Sequence, residues 1–223
     1  MTETALIFGA GSGLSASIAR LCAKEGMAVH LAARNLTKLD GLCREIGAKA
    51  HGCDVTDATG VERVFKAVGA VPDLVVFNPS MRVRGPIHEL DPDAVRKAIE
   101  ITCYGGFVVG REAARRMIPR ESGSILFTGA SASVKGYPNS STFAMGKFGL
   151  RGLCQSMARE LQPRGIHVGH FIIDGGIASD TRVAEEDNFL SPDAIAETYL
   201  QIHRQHRSAW TWEVELRPWV ETF

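Results

Sequence analysis

Gly9-Ala10-Gly11-Ser12-Gly13-Leu14 separates a short apolar run, Ala5 to Phe8, from a stretch of helical periodicity, Leu14 to Lys24. The run reads as a buried strand, since an unbroken apolar segment of that length ending at glycine suits a parallel sheet. The following stretch keeps Leu14, Ile18, Leu21 and Cys22 on one face and stops before Gly26, a residue suited to a helix C-terminus. In such a turn the missing side chains let backbone approach a pyrophosphate, and the helix N-terminus offers unpaired N–H donors at the positive end of its dipole. Gly9, Gly11, Ser12, Gly13 and Leu14 are therefore the expected phosphate contacts. The bland alternative is an ordinary tight connection. Ser15 stands where a further glycine is expected, which predicts slightly looser packing of this helix.

Beyond the turn, apolar runs alternate with amphipathic stretches of helix length, the pattern of βαβ crossovers. The strand expectations are Ala5–Phe8, Ala28–Ala32, Ala50–Gly52, Leu74–Phe77, Ser124–Thr128, Ile166–Ile173 and Trp210–Leu216. Ser191, Pro192 and Asp193 suit an N-cap followed by a first helical turn. Trp219 and Phe223, beyond the last strand, are expected in the core or at a subunit contact. The 223 residues carry no repeat or interdomain linker, so a single α/β domain is expected over 1–223, a doubly wound parallel sheet of Rossmann type.

Lysine plus arginine and aspartate plus glutamate stand at 25 each. That balance leaves no basic face for phosphate-backbone contacts and argues against nucleic acid. The start has no basic n-region, and no apolar run is long enough to span a bilayer, so neither export nor membrane insertion is expected. Cys22, Cys43, Cys53, Cys103 and Cys154 are odd in number and scattered, which fits reduced, buried thiols in the cytoplasm. The seven histidines show no metal-ligand spacing and are expected in the core or in solvent.

Arg34 follows the second strand in Ala32-Ala33-Arg34-Asn35. A site for the unphosphorylated dinucleotide uses an acidic side chain near this point, whereas a 2′-phosphate wants a cation. NADP(H) is therefore favoured over NAD(H). Asp54, in Cys53-Asp54-Val55, is placed to accept from an adenine amino group or, equally, to shape a turn.

From the glycine turn to Leu161 the chain resembles the short-chain dehydrogenase/reductase family. Phe77-Asn78-Pro79-Ser80 stands for the family's fourth-strand motif, Gly123-Ser124-Ile125 opens the fifth strand, and Gly136-Tyr137-Pro138-Asn139 fills a later loop. Phe143-Ala144-Met145-Gly146-Lys147 starts the next helix, and Pro163-Arg164-Gly165-Ile166-His167-Val168 feeds the sixth strand. The resemblance implies cofactor contacts from Asp54, Val55, Asn78, Lys147, Gly175 and Ile177, a small-molecule substrate, and a homodimer or homotetramer pairing through the helices after the fourth and fifth strands. It also places the family's catalytic Asn, Ser, Tyr and Lys on Thr102, Ala130, Phe143 and Lys147, so only the lysine is kept. Asp174-Gly175 likewise replaces the family's Pro-Gly.

Phenylalanine has no proton to deliver to a carbonyl oxygen, and alanine has no hydroxyl to hold one. Ser131 adjoins the lost serine, but a one-residue shift is expected to turn its side chain away. Tyr137 is a possible substitute donor, with packing against the pocket wall preferred. The wider spacing of enoyl reductases requires tyrosine at position 140, where Ser140 stands. Two readings stay open: an NADP(H)-dependent oxidoreductase of small carbonyls or alcohols with an atypical site, and a non-catalytic NADP(H)-binding sensor. The first is preferred because the cofactor turn and pocket loops are intact. A structural partner in a hetero-oligomer is a weaker third.

Overall fold

The computed structural model describes residues 2–183 and 185–221; Phe223 lies outside them. Its centre is one parallel sheet in the order β3-β2-β1-β4-β5-β6-β7. The strands are β1 (Thr4–Phe8), β2 (Ala28–Ala33), β3 (Lys49–Gly52), β4 (Leu74–Phe77), β5 (Ser124–Thr128), β6 (His167–Ile173) and β7 (Glu213–Leu216). The helices are α1 (Leu14–Lys24), α2 (Asp40–Ile46), α3 (Ala58–Val68), α4 (Pro92–Ile99), α5 (Gly105–Met117), α6 (Ser141–Leu161) and α7 (Pro192–His203).

Side chains alternate across each strand, and here both faces are covered. Leu6, Phe8, Val75, Phe77, Ile125 and Phe127 pack toward α3, α5 and α6. Ala5, Ile7, Leu74, Val76, Leu126 and Phe171 pack toward α1 and α7, where the Phe171 and Tyr199 rings stack at 3.7 Å. This double burial explains why the central strands read as continuous apolar runs. Ser191 caps α7 as expected, its Oγ accepting from the Ala194 N–H.

Three expectations are corrected by the coordinates. Trp210 and Trp212 precede β7: a 3₁₀ turn at Arg207–Ala209 delays pairing with β6, and the Trp210 ring stacks on His167 at 4.7 Å. Trp219 is 77% exposed and donates its indole N–H to the Glu186 carbonyl, which overturns the core half of its expectation and not the subunit contact. Of the five thiols, Cys22, Cys53 and Cys154 are buried, whereas Cys43 and Cys103 are half-buried. His30, His167 and His170 are core residues.

Sheet order reverses between β1 and β4, and a crevice opens at the carboxyl ends of strands at such a switch point. A second device shapes its floor. A wide π turn at Glu100–Tyr104 joins α4 to α5, and α6 crosses it so closely that a Cβ on Gly146 would lie 3.0 Å from Thr102.

Candidate functional site

Gly9 begins the turn with φ +76°, and a Cβ there would lie 2.7 Å from the Pro79 nitrogen. Only glycine accepts both conditions. Around Gly11 and Gly13, by contrast, an added Cβ would meet nothing within 4 Å. Gly13 also leaves α1 without a side-chain cap. Open space over a helix N-terminus whose donors lack a cap is what a phosphate requires. Ser15 overturns the expectation of looser packing: it is 1% exposed, donates to the Gly9 carbonyl at 3.2 Å and accepts from Asn78 Nδ2 at 2.7 Å. Its hydroxyl fastens the turn to the end of β4.

Two cavities meet at that point. One of about 360 Å³ is lined by Gly9, Arg34, Asp54, Val55, Asn78 and Ser80. Arg34 is exposed at its rim. Asp54 Oδ1 accepts from the Thr56 N–H and hydroxyl at 3.0 and 2.8 Å, bonds that hold its carboxyl below the usual range. Asp54 is thus the turn former, and it also lines the cavity into which an adenine is expected.

The second cavity, about 700 Å³, shares Asn78 and Ser80 with the first and runs over Ala130, Phe143, Lys147, Gly175 and Ile177. Tyr137 lines it while remaining 49% exposed. Lys147 is 2% exposed, and its Nζ donates to the Thr128 carbonyl at 2.6 Å. Burial, reinforced by the charge of Arg82, pushes its ammonium down to about 7. Phe143 packs with Ala130 and Ala132 into a small apolar cluster. Its ring carries the Arg82 guanidinium 3.9 Å above the centroid, with Lys147 Nζ at 5.8 Å.

Not every matched position reaches this cavity. Thr102 is fully buried below it, its Oγ1 accepting the Met81 N–H at 3.1 Å. Ser131 is among the residues that line the cavity. Strand alternation ends at Thr128, and a 3₁₀ turn starts at Ser131. Asp174, in place of the expected proline, holds Lys135 Nζ at 3.1 Å and an Arg217 nitrogen at 2.7 Å.

Two further groups at the site lie outside the sequence motifs. Arg82, Arg84 and Arg182 all line the larger cavity; the alternation in Arg82-Val83-Arg84 was the available signal for the first two. Behind Ala130, Ser133 Oγ lies 3.3 Å from His170 Nε2, and His170 Nδ1 lies 3.0 Å from Glu213. Ser133 Oγ also accepts the Ala130 N–H at 3.1 Å. Nothing in the sequence joins these distant positions.

A doubly wound sheet with an open glycine cradle, a cleft beyond β2 and a lysine-bearing cavity beyond β5 has the architecture of a dinucleotide-binding fold. Residues 3–188 match the short chain dehydrogenase family, and the chain belongs to that family. A short chain aldehyde dehydrogenase 1 of Euphorbia lathyris is 32% identical over 179 residues, covering 74% of this chain and 61% of that protein. The chain thus spans less than two thirds of that relative. A cis-4-hydroxycyclohexanecarboxylate dehydrogenase of Sinomonas cyclohexanicum is 33% identical over 174 residues, covering 74% of this chain and 70% of the relative. Among solved structures, a short-chain dehydrogenase from Rhodopseudomonas palustris superposes with a TM-score of 0.86 at 39% identity, covering 97% of this chain and 99% of the other. A metagenomic short-chain oxidoreductase in complex with NADP gives 0.84 at 26% identity, covering 97% of each. Among the described residues, no helix is long and apolar enough to cross a membrane.

Proposed function

We propose that the chain is an NADP(H)-dependent oxidoreductase that interconverts a small carbonyl compound and its alcohol. The observation that carries this reading is the junction of the two cavities at Asn78 and Ser80, which makes one channel from Arg34 to Lys147. In it the backbone at Gly11 to Leu14 binds the pyrophosphate, Arg34 takes the 2′-phosphate, Asp54 and Val55 flank the adenine, and Gly175 and Ile177 border the nicotinamide. The bound coenzyme supplies or accepts hydride.

The chain's own task is to hold the substrate and handle its proton. Phe143 and Ala130 do neither by hydrogen bonding. Lys147 is buried, lines the cavity and is poised near 7, close to the optimum for a general acid at neutral pH. We assign it the proton delivered to the substrate oxygen, with the half-exposed Tyr137 closing over the ligand. The competing reading, coenzyme binding without turnover, rests on the apolar cluster of Ala130, Ala132 and Phe143. NADPH oxidation with a panel of ketones and aldehydes separates the two. Turnover above the uncatalysed rate supports the enzyme; tight coenzyme binding with none supports the sensor.

Exposed Tyr104, Phe107, Met145 and Phe148 give the segment from the π turn through α5 and the start of α6 an apolar surface. We assign this surface to a homodimer or homotetramer contact, and sedimentation of the purified chain tests it. The scattered, unpaired thiols support a location in the reducing cytoplasm, to which we assign the protein.

A further inference from the structure

We propose that Arg82, Arg84 and Arg182 form a receptor for a carboxylate, so that the substrate is an anionic keto or hydroxy acid. All three line the larger cavity together with Phe143 and Lys147. Arg82 and Arg84 come from the extended segment after β4, where Gly85 N–H bonds the Asn139 carbonyl at 3.2 Å. Arg182 comes from the loop after β6, its Nη1 donating to the Ile177 carbonyl at 3.1 Å. Two separate segments thus bring guanidinium groups to one space.

None of the three stands within 4.0 Å of a carboxylate among the described residues, whereas Arg20, Arg151 and Arg204 each hold one. Arg82 is instead stacked on Phe143, and its guanidinium is held below the ordinary value, first by burial and then by Arg84 and Arg182. Like charges gathered in a cavity repel one another, and an anion placed among them relieves that repulsion. Two acidic groups also border the space. Asp174 is already held by Lys135 and Arg217, and Glu221 stands on the side of Gly175, 3.4 Å from where its Cβ would be. Planar, always-charged guanidinium groups match a carboxylate in two-point geometry.

The inference deepens the oxidoreductase reading and relies on it only for the reaction, so binding and turnover are measured separately. Keto acids of increasing length and their methyl esters are titrated into the NADP-bound protein by calorimetry, and the same pairs are assayed for NADPH oxidation. The acids are expected to bind roughly ten-fold or more tightly than the esters, as a charge-assisted contact implies. Arg84→Gln with Arg182→Gln should erase that preference, while lysine at both positions restores part of it. Circular dichroism checks that the variants fold. Esters bound as well as acids would overturn the proposal. So would glutamine variants that weaken NADPH itself, since the arginines would then serve the coenzyme's phosphates. Acids bound selectively but never reduced would leave the receptor standing and remove the redox reading.

Discussion

The Arg82 guanidinium lies 3.9 Å above the centroid of the Phe143 ring, so a cation covers the position at which the family carries its acid. Cation and ring attract through the ring quadrupole. Together they leave a charged cavity wall at that position, in which Phe143 has no proton to give.

Restoring the hydroxyls should therefore add acid catalysis. Phe143→Tyr combined with Ala130→Ser is expected to raise carbonyl reduction about 10²-fold, the low end of what a positioned acid contributes. The check is kcat/KM for NADPH-dependent reduction in parent and variant. An unchanged rate would mean that the new phenol does not reach the substrate.

If Lys147 is the acid, kcat/KM for reduction falls as pH rises through about 7, and Lys147→Gln loses that inflection. A stability effect accompanies it. Between pH 10.5 and about 7 the unfolded chain carries a proton on this lysine that the folded chain releases, so its contribution becomes less favourable as pH falls across that window. Lys147→Met is then more stable than the parent, by a larger margin at pH 7 than at pH 9.5, in urea unfolding.

The glycines of the turn divide into structural and functional ones. Gly9→Ala forces a Cβ at φ +76° to within 2.7 Å of the Pro79 nitrogen and is expected to cost about 1–3 kcal/mol. Gly11→Ala meets nothing in the protein and should change stability by less than about 0.5 kcal/mol. It should nonetheless weaken NADPH binding at least about ten-fold, because the methyl enters the phosphate cradle. Thermal unfolding with and without coenzyme reads both effects.

Acid should unfold the protein through its buried histidines. Burial, then His51 and Lys49, lowers His30 to about 4; burial also takes His170 to about 4 against the opposing pull of Glu213. From pH 6.5 down to about 4 the unfolded chain takes up protons that the folded chain refuses, so stability is lost across that window. His170 contributes on the order of 3 kcal/mol, and His30, beside the half-buried His51, contributes less because solvent screens it. Urea midpoints at pH 7, 5.5 and 4.5 measure the slope, and His30→Phe should flatten it.

Local rules carried the fold far. The apolar run and the glycine turn located β1 and the full extent of α1, and Ser191 located the start of α7. They failed where tertiary contacts decide. Ser15 looked like a packing defect because its two hydrogen-bond partners, Gly9 and Asn78, are brought together only by the β1–β4 pairing. Tryptophan alternation began the last strand too early, since β6 alone determines where β7 starts to pair. The arginine cluster was invisible because Arg182 lies about a hundred positions from Arg82 in sequence and joins it only in the folded cavity.

Titration of NADPH and NADH into the purified protein, followed through quenching of its tryptophans, tests the central claim most directly. The geometry around Gly11 and Arg34 predicts saturable binding of both, with NADPH the tighter and its advantage abolished in Arg34→Ala. Failure to bind either coenzyme at millimolar concentration would contradict the account.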